Sequence, residues 1–208
     1  ATTDGIRNIA IGTLAMKENI DGSYNVAVGY EALQNFEADS ANHGENTVVG
    51  YQAAYALSTA TNIVAIGAKA MGTGTVTGDS TVAIGYNAGA AMTSGNNAVI
   101  IGTNAGKSIT TGVRNIAIGT NALDALTEGG DNIAIGAEAL GDASSTSCND
   151  NVAIGKNAGG AFGSAVVIDT TIVGFRAGDA INHADASGTV LFGNRAGSAL
   201  TEGIRNTA

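Results

Sequence analysis

Proline and tryptophan are absent from this 208-residue chain, and cysteine occurs once, at Cys148. A single cysteine excludes an intrachain disulfide and leaves the redox compartment open. Aromatic residues make up only 4%, too few for the thick core of an ordinary domain of this length. Positive charge is also scarce: nine Lys and Arg stand against 18 Asp and Glu, for a net charge of −9. The cations are scattered, and phosphate binding needs them clustered, so nucleic acid is not expected as a partner. No apolar run reaches about 18 residues, so no membrane insertion is expected. The first residue is Ala1 and not Met, and no signal-peptide pattern is read in the residues that follow. Residues 1–12 and 204–208 already lie inside the pattern described next. The chain therefore reads as one repeat segment, 1–208, excerpted from a longer fibrous protein.

What is abundant is small and apolar. Glycine accounts for 31 residues and hydrophobic residues for 44%, with a mean hydropathy of +0.16. This is not a disordered composition; it points to thin repeated layers. A glycine closing an apolar tetrad recurs at Gly12, Gly29, Gly50, Gly67, Gly85, Gly102, Gly119, Gly136, Gly155, Gly174 and Gly193, in steps of 17 to 21 residues. Three residues after each stands an alanine: Ala15, Ala32, Ala53, Ala70, Ala88, Ala105, Ala122, Ala139, Ala158, Ala177 and Ala196. A twelfth unit starts at Asn206-Thr207-Ala208. Immediately before each glycine is Ile, Val or Phe, and three before is Ile, Val or Thr. Two before is mostly Ala, with Val48, Ile100, Ile172 and Leu191 as bulkier exceptions. Four before is often Asn, as at Asn25, Asn46, Asn115, Asn132 and Asn151.

Such self-similarity is the signature of a solenoid. "N-I-A-I-G" is a short strand of β-branched residues closed by glycine. Its Ile pair points one way and its Ala the other. We expect the larger pair to fill the coil and the Ala side to meet another copy of the chain. After the glycine, the seventh position is usually apolar (Phe36, Leu57, Met92, Ile109, Leu126, Phe162, Ile181, Leu200). A helical turn or a second short strand would bring it inward. The fold class expected is a mainly β repeat solenoid: a parallel β-roll or β-helix of about eleven coils of 17–21 residues, with room for a short helical turn in each. Stacked at the strand spacing, eleven coils make a rod of roughly 50 Å. Extra residues around 37–43, 141–149 and 179–187 fall in edge loops, where insertions cost little. The asparagines should form an amide ladder along the axis.

The units at 25–29, 132–136 and 151–155 resemble the head repeats of trimeric autotransporter adhesins. "G-Y-N-A-G" (85–89), "T-T-G-V-R-N" (110–115) and "L-T-E-G-G-D-N" (126–132) are similar to repeats of bacteriophage tail fibres. The resemblance covers essentially the whole chain. It implies a left-handed parallel β-roll that forms a homotrimer, in a virion tail fibre or at a cell surface. The coil is longer than in adhesin heads, which favours a fibre relative. The function expected is a structural and adhesive rod that presents loops or a tip to a host-cell receptor or glycan. Alternatives are a bacterial adhesin head, or a solenoid that binds glycan or ice.

Few residues invite a sharper reading. His43 and His183 lie in edge loops without converging partners. Loops 128–132 and 149–151 hold oxygen ligands, but turn formation accounts for the same letters. Cys148 sits in a polar stretch and reads as an idle thiol. No G-x-S-x-G, phosphate loop, C-x-x-C or H-E-x-x-H pattern occurs, so no catalytic residue, cofactor or metal is expected. Tyr30, Tyr51, Tyr86 and Phe175 all follow a repeat glycine. This stripe is expected to serve as packing between chains; left exposed, it could stack on sugar rings. Ser58, Thr75, Thr93, Thr110, Thr127 and Ser144 form a file, read mainly as turn residues and alternatively as an ice-binding row.

Overall fold

The computed structural model describes residues 5–37, 44–201, 203 and 205–208. Eleven three-residue strands run Ile9–Ile11 (β1), Val26–Val28 (β2), Thr47–Val49 (β3), Val64–Ile66 (β4), Val82–Ile84 (β5), Val99–Ile101 (β6), Ile116–Ile118 (β7), Ile133–Ile135 (β8), Val152–Ile154 (β9), Thr171–Val173 (β10) and Val190–Phe192 (β11). They form one parallel sheet in chain order. Every strand stacks on its neighbour without a slip, so that Ile116 pairs with Ile133 and Ala117 with Ala134. The chain is a β-solenoid in which each repeat is one coil. The partial twelfth unit follows suit: Thr207 bridges Val190.

The faces of the strand are the reverse of the expectation. The central residue is the one inside: Ala27, Ala65, Ala117, Ala134 and Ala153 are fully buried. The flanking Val and Ile residues of β2 and β4 to β8 are only partly covered. The alanine side therefore faces its own coil, and no partner chain can reach it. The cause is volume. The opposite wall already supplies Phe36, Leu57, Met92, Ile109, Leu126, Phe162 and Ile181, all fully buried. It also supplies the fourth residue after the glycine, as at Leu33, Met71, Leu123 and Leu140. A 17-residue coil has no space for two more Ile side chains. At three of the four bulky strand centres that fourth residue is glycine, and at the other, Val48, it is the small Ala54. Gly106 answers Ile100, Gly178 answers Ile172 and Gly197 answers Leu191. A methyl on Gly106 would come within 3.2 Å of Ile100 Cδ1, and one on Gly178 within 3.1 Å of Ile172 Cδ1. Close packing at constant cross-section dictates this exchange.

The helical turn is likewise absent from the coils. The stretch after each glycine alternates in hand. Lys69 and Met71 (φ 57° and 49°), Asn121 and Leu123 (56° and 52°), and Glu138 and Leu140 (60° and 48°) are left-handed, and the curvature never accumulates into a helix. The gain is hydrogen bonding between coils: Asn121 N–H donates to Thr103 O (3.0 Å) and Leu123 N–H to Ala139 O (3.1 Å). Left-handed backbone costs about 1–2 kcal/mol per residue outside glycine, and these inter-coil bonds offset it. Among the described residues, helical structure is confined to the 3₁₀ turn Ala184–Ala186, in an inserted loop.

The invariant pair now has a cause. Each repeat glycine has φ between +126° and +145°, a region that side chains rarely occupy. A methyl on Gly119 would sit 2.6 Å from the carbonyl carbon of Gly136, one coil on. The alanine three residues later closes the corner, with Ala122 N–H donating to Gly119 O (3.2 Å). From Ala32 to Ala177 this alanine is fully buried.

Candidate functional site

Two surfaces stand out, and both follow from the strict register. The first is the outer face of the sheet. The first and third residues of each strand point away from the coil. Stacked eleven deep, they make one face of Val and Ile, broken by Thr47, Thr171 and Phe192. The face is contiguous, apolar and only partly covered.

The second is the column directly after the repeat glycine. Tyr30, Tyr51, Tyr86 and Phe175 are 44%, 50%, 51% and 44% exposed. Tyr30 and Tyr51, on adjacent coils, stack with ring centroids 5.5 Å apart and planes 10° apart. The column is held in line by backbone bonds. Gln52 N–H donates to Tyr30 O (2.9 Å), Lys69 N–H to Tyr51 O (2.9 Å), Asn87 N–H to Ala68 O (3.1 Å) and Asn104 N–H to Tyr86 O (2.9 Å). Phe175 stands apart from the tyrosines, with the Arg176 guanidinium 5.8 Å from its ring centre.

The asparagine ladder is present and buried. Asn132 Nδ2 donates to Asn115 Oδ1 (3.1 Å), and Asn151 Nδ2 to Asn132 Oδ1 (3.0 Å). Each Oδ1 also accepts the backbone N–H of the next asparagine. Thr170 takes the place of asparagine and donates to Asn151 Oδ1 (2.7 Å). A second amide ladder lies outside: Asn87 donates to Asn104 and Asn104 to Asn121, each at 3.3 Å. It leads to a cavity of about 180 Å³ lined by Asn121, Asp124, Glu138, Asp142 and Asn157. Two of these are already engaged: Lys107 Nζ donates to Asp124 (3.0 Å) and Asn157 Nδ2 to Glu138 (2.8 Å). Among the described residues, no group of three or more His, Cys, Asp or Glu is placed to hold a metal ion.

Charges pair along the axis at the coil spacing. Arg114 bonds both carboxylate oxygens of Asp131 at 2.6 and 2.7 Å. This pairing holds the Asp131 carboxyl below its usual range and raises Arg114. Neither this pair nor the outer amide ladder entered the sequence reading, although a spacing of 17 was there to find them.

The remaining candidates take structural places. His183 Nδ1 accepts from Asp185 N–H (3.2 Å) and caps the 3₁₀ turn; His43 lies outside the described residues. Cys148 is buried in the core rather than in a polar loop, and burial pushes its thiol pKa up. In the hydroxyl file, Thr93 Oγ1 and Thr110 Oγ1 donate to the carbonyls of Thr110 and Thr127 (3.1 and 3.0 Å). Its member between Ser58 and Thr93 is Thr77 rather than Thr75: Ser58 N–H bonds Val76 O and Thr77 N–H bonds Thr93 O. The repeat glycines and alanines form the corners of the coils. No helix among the described residues is long and apolar enough to cross a membrane.

No known family model, curated protein or solved structure matches this chain.

Proposed function

We propose that this chain is a rigid structural and adhesive rod, a segment of a fibre that presents its loops or a tip to a surface, and that three copies associate through their outer sheet faces. Such a fibre would belong to a virion tail or a cell exterior; the repeat resemblance and the 17-residue coil favour the tail fibre over an adhesin head. The observation that carries the reading is the stack of Val and Ile along the outer face, interrupted at Thr47, Thr171 and Phe192. A coil fills its own interior with the strand-centre alanine and leaves the larger pair for a neighbour. Fully burying an exposed Ile or Val gains roughly 1.5–3 kcal/mol, and the partly covered Val and Ile of this face would each gain a fraction of that on association.

Sedimentation equilibrium of the chain tests this. We expect the mass of three copies, and loss of that mass when Ile84, Ile101 and Ile118 are all replaced by Glu. A monomer in the unsubstituted protein, with normal circular dichroism, overturns the trimer. A binding-module reading without a fibre would then rest on the tyrosine column alone.

A further inference from the structure

The tyrosine column contains a gap. Tyr51 and Tyr86 stand two coils apart, and the coil between them carries Ala68 at the same position. The backbone bonds from Lys69 to Tyr51 and from Asn87 to Ala68 keep all three in line. Two strand spacings place the two tyrosine positions about 9.6 Å apart. Tyr51 has Tyr30 stacked on one face. Its other face looks toward Ala68, whose methyl is too short to cover it. Tyr86 bounds the far side and is half exposed. A ring midway would lie about 4.8 Å from each tyrosine, within the stacking range of roughly 4.5–7 Å.

We propose that the slot between Tyr51 and Tyr86, floored by Ala68, binds a single pyranose ring, and that it prefers a sugar acid. The ring's C–H faces would rest on the two aromatic rings. Its rim hydroxyls and carboxylate would meet the polar groups at the edge. The preference for an acid rests on Lys69, next to the floor residue, whose ammonium makes no ion pair among the described residues. The chain carries a net charge of −9, and Lys69 is the cation that the sequence places beside the floor residue. Nucleobases could stack as well, but the negative field opposes a polyphosphate. The inference does not depend on the number of chains in the rod.

The test is titration of the intact protein with D-glucuronic acid and, separately, D-glucose, followed by tyrosine fluorescence. Sedimentation of the same samples reports the mass. We expect saturable quenching by both sugars, at least tenfold tighter for the acid. Lys69→Gln should erase the difference between the sugars without abolishing either. Ala68→Tyr should complete a continuous stack and remove binding at least tenfold, with circular dichroism unchanged. Should Ala68→Tyr unfold the chain, Ala68→Leu fills the floor with less bulk and decides the same point. An unsubstituted protein that shows no saturable change, or a folded filled-slot variant that still binds both sugars, overturns the proposal. Mass and quenching are separate readouts, so a trimer that does not bind sinks the slot alone, and a monomer that binds sinks the trimer alone.

Discussion

At the residue scale, glycine and alanine carry the architecture because they are the two residues with least to place. The repeat glycine is required twice over. Its φ excludes ordinary side chains, and its Cα position abuts the glycine of the next coil. These causes can be separated. At Gly119 an added methyl would meet the Gly136 carbonyl group at 2.6 Å, whereas at Gly193 nothing lies within 4 Å although φ is +133°. Gly193→Ala should therefore cost only the backbone strain, about 1–3 kcal/mol. Gly119→Ala should cost several kcal/mol more, because two backbones must separate. Urea unfolding of the two variants checks this, and equal losses would refute the close-approach account. The glycines and alanines were legible from spacing alone. Which face they served was not. Alternation assigns Ile116 and Ala117 to opposite sides, but both are apolar, so the pattern cannot say which side is inside. Counting the volume already supplied by Leu123 and Leu126 would have decided it.

At the element scale, each strand is three residues long, far below what an isolated hairpin needs. Its stability comes from the rungs above and below. The asparagine ladder is part of that coupling. Asn132 Nδ2 bonds Gly130 O (3.0 Å) and Cys148 O (2.9 Å) as well as its neighbouring amide. Asn132→Ala would leave the Asn151 N–H and the Cys148 carbonyl unpaired inside the coil, while the Gly130 carbonyl keeps the Asp150 N–H (3.2 Å). Each unsatisfied buried group costs about 1–3 kcal/mol, so we expect a loss of about 3 kcal/mol in chemical denaturation. Asn132→Thr should cost less, since threonine holds this place at Thr81, Thr170 and Thr189. A loss under about 1 kcal/mol for the alanine variant would show that water replaces the ladder. The ladder itself was readable from the recurring Asn. The alternating left-handed turn was not, because Lys69, Leu123 and Glu138 carry no local preference for positive φ. There the inter-coil hydrogen bonds override propensity. Those bonds exist only when the whole stack exists.

At the scale of the whole molecule, the solenoid is nearly one-dimensional: each coil touches its two neighbours and little else. That makes length adjustable in whole coils and in nothing smaller. Removing residues 120–136 takes out one complete 17-residue step, from after one repeat glycine through the next. It leaves Gly119 followed by Ala137, and the retained coils can restack with every position in column. We expect this variant to fold, with unchanged circular dichroism per residue and a rod shorter by about 4.8 Å in small-angle scattering. Removing 120–135 instead leaves an extra glycine before Ala137. Ala139 then stands four residues after Gly119, and its side chain is displaced from the corner position that an alanine holds in every other coil. This variant should lose stability across the adjacent coils or bulge locally. Its amide exchange should rise on both sides of the junction, around Ile118 and Leu140. If both deletions behaved alike, the coil would not be the unit of the structure, and the register argument for the outer face and the tyrosine slot would fall with it.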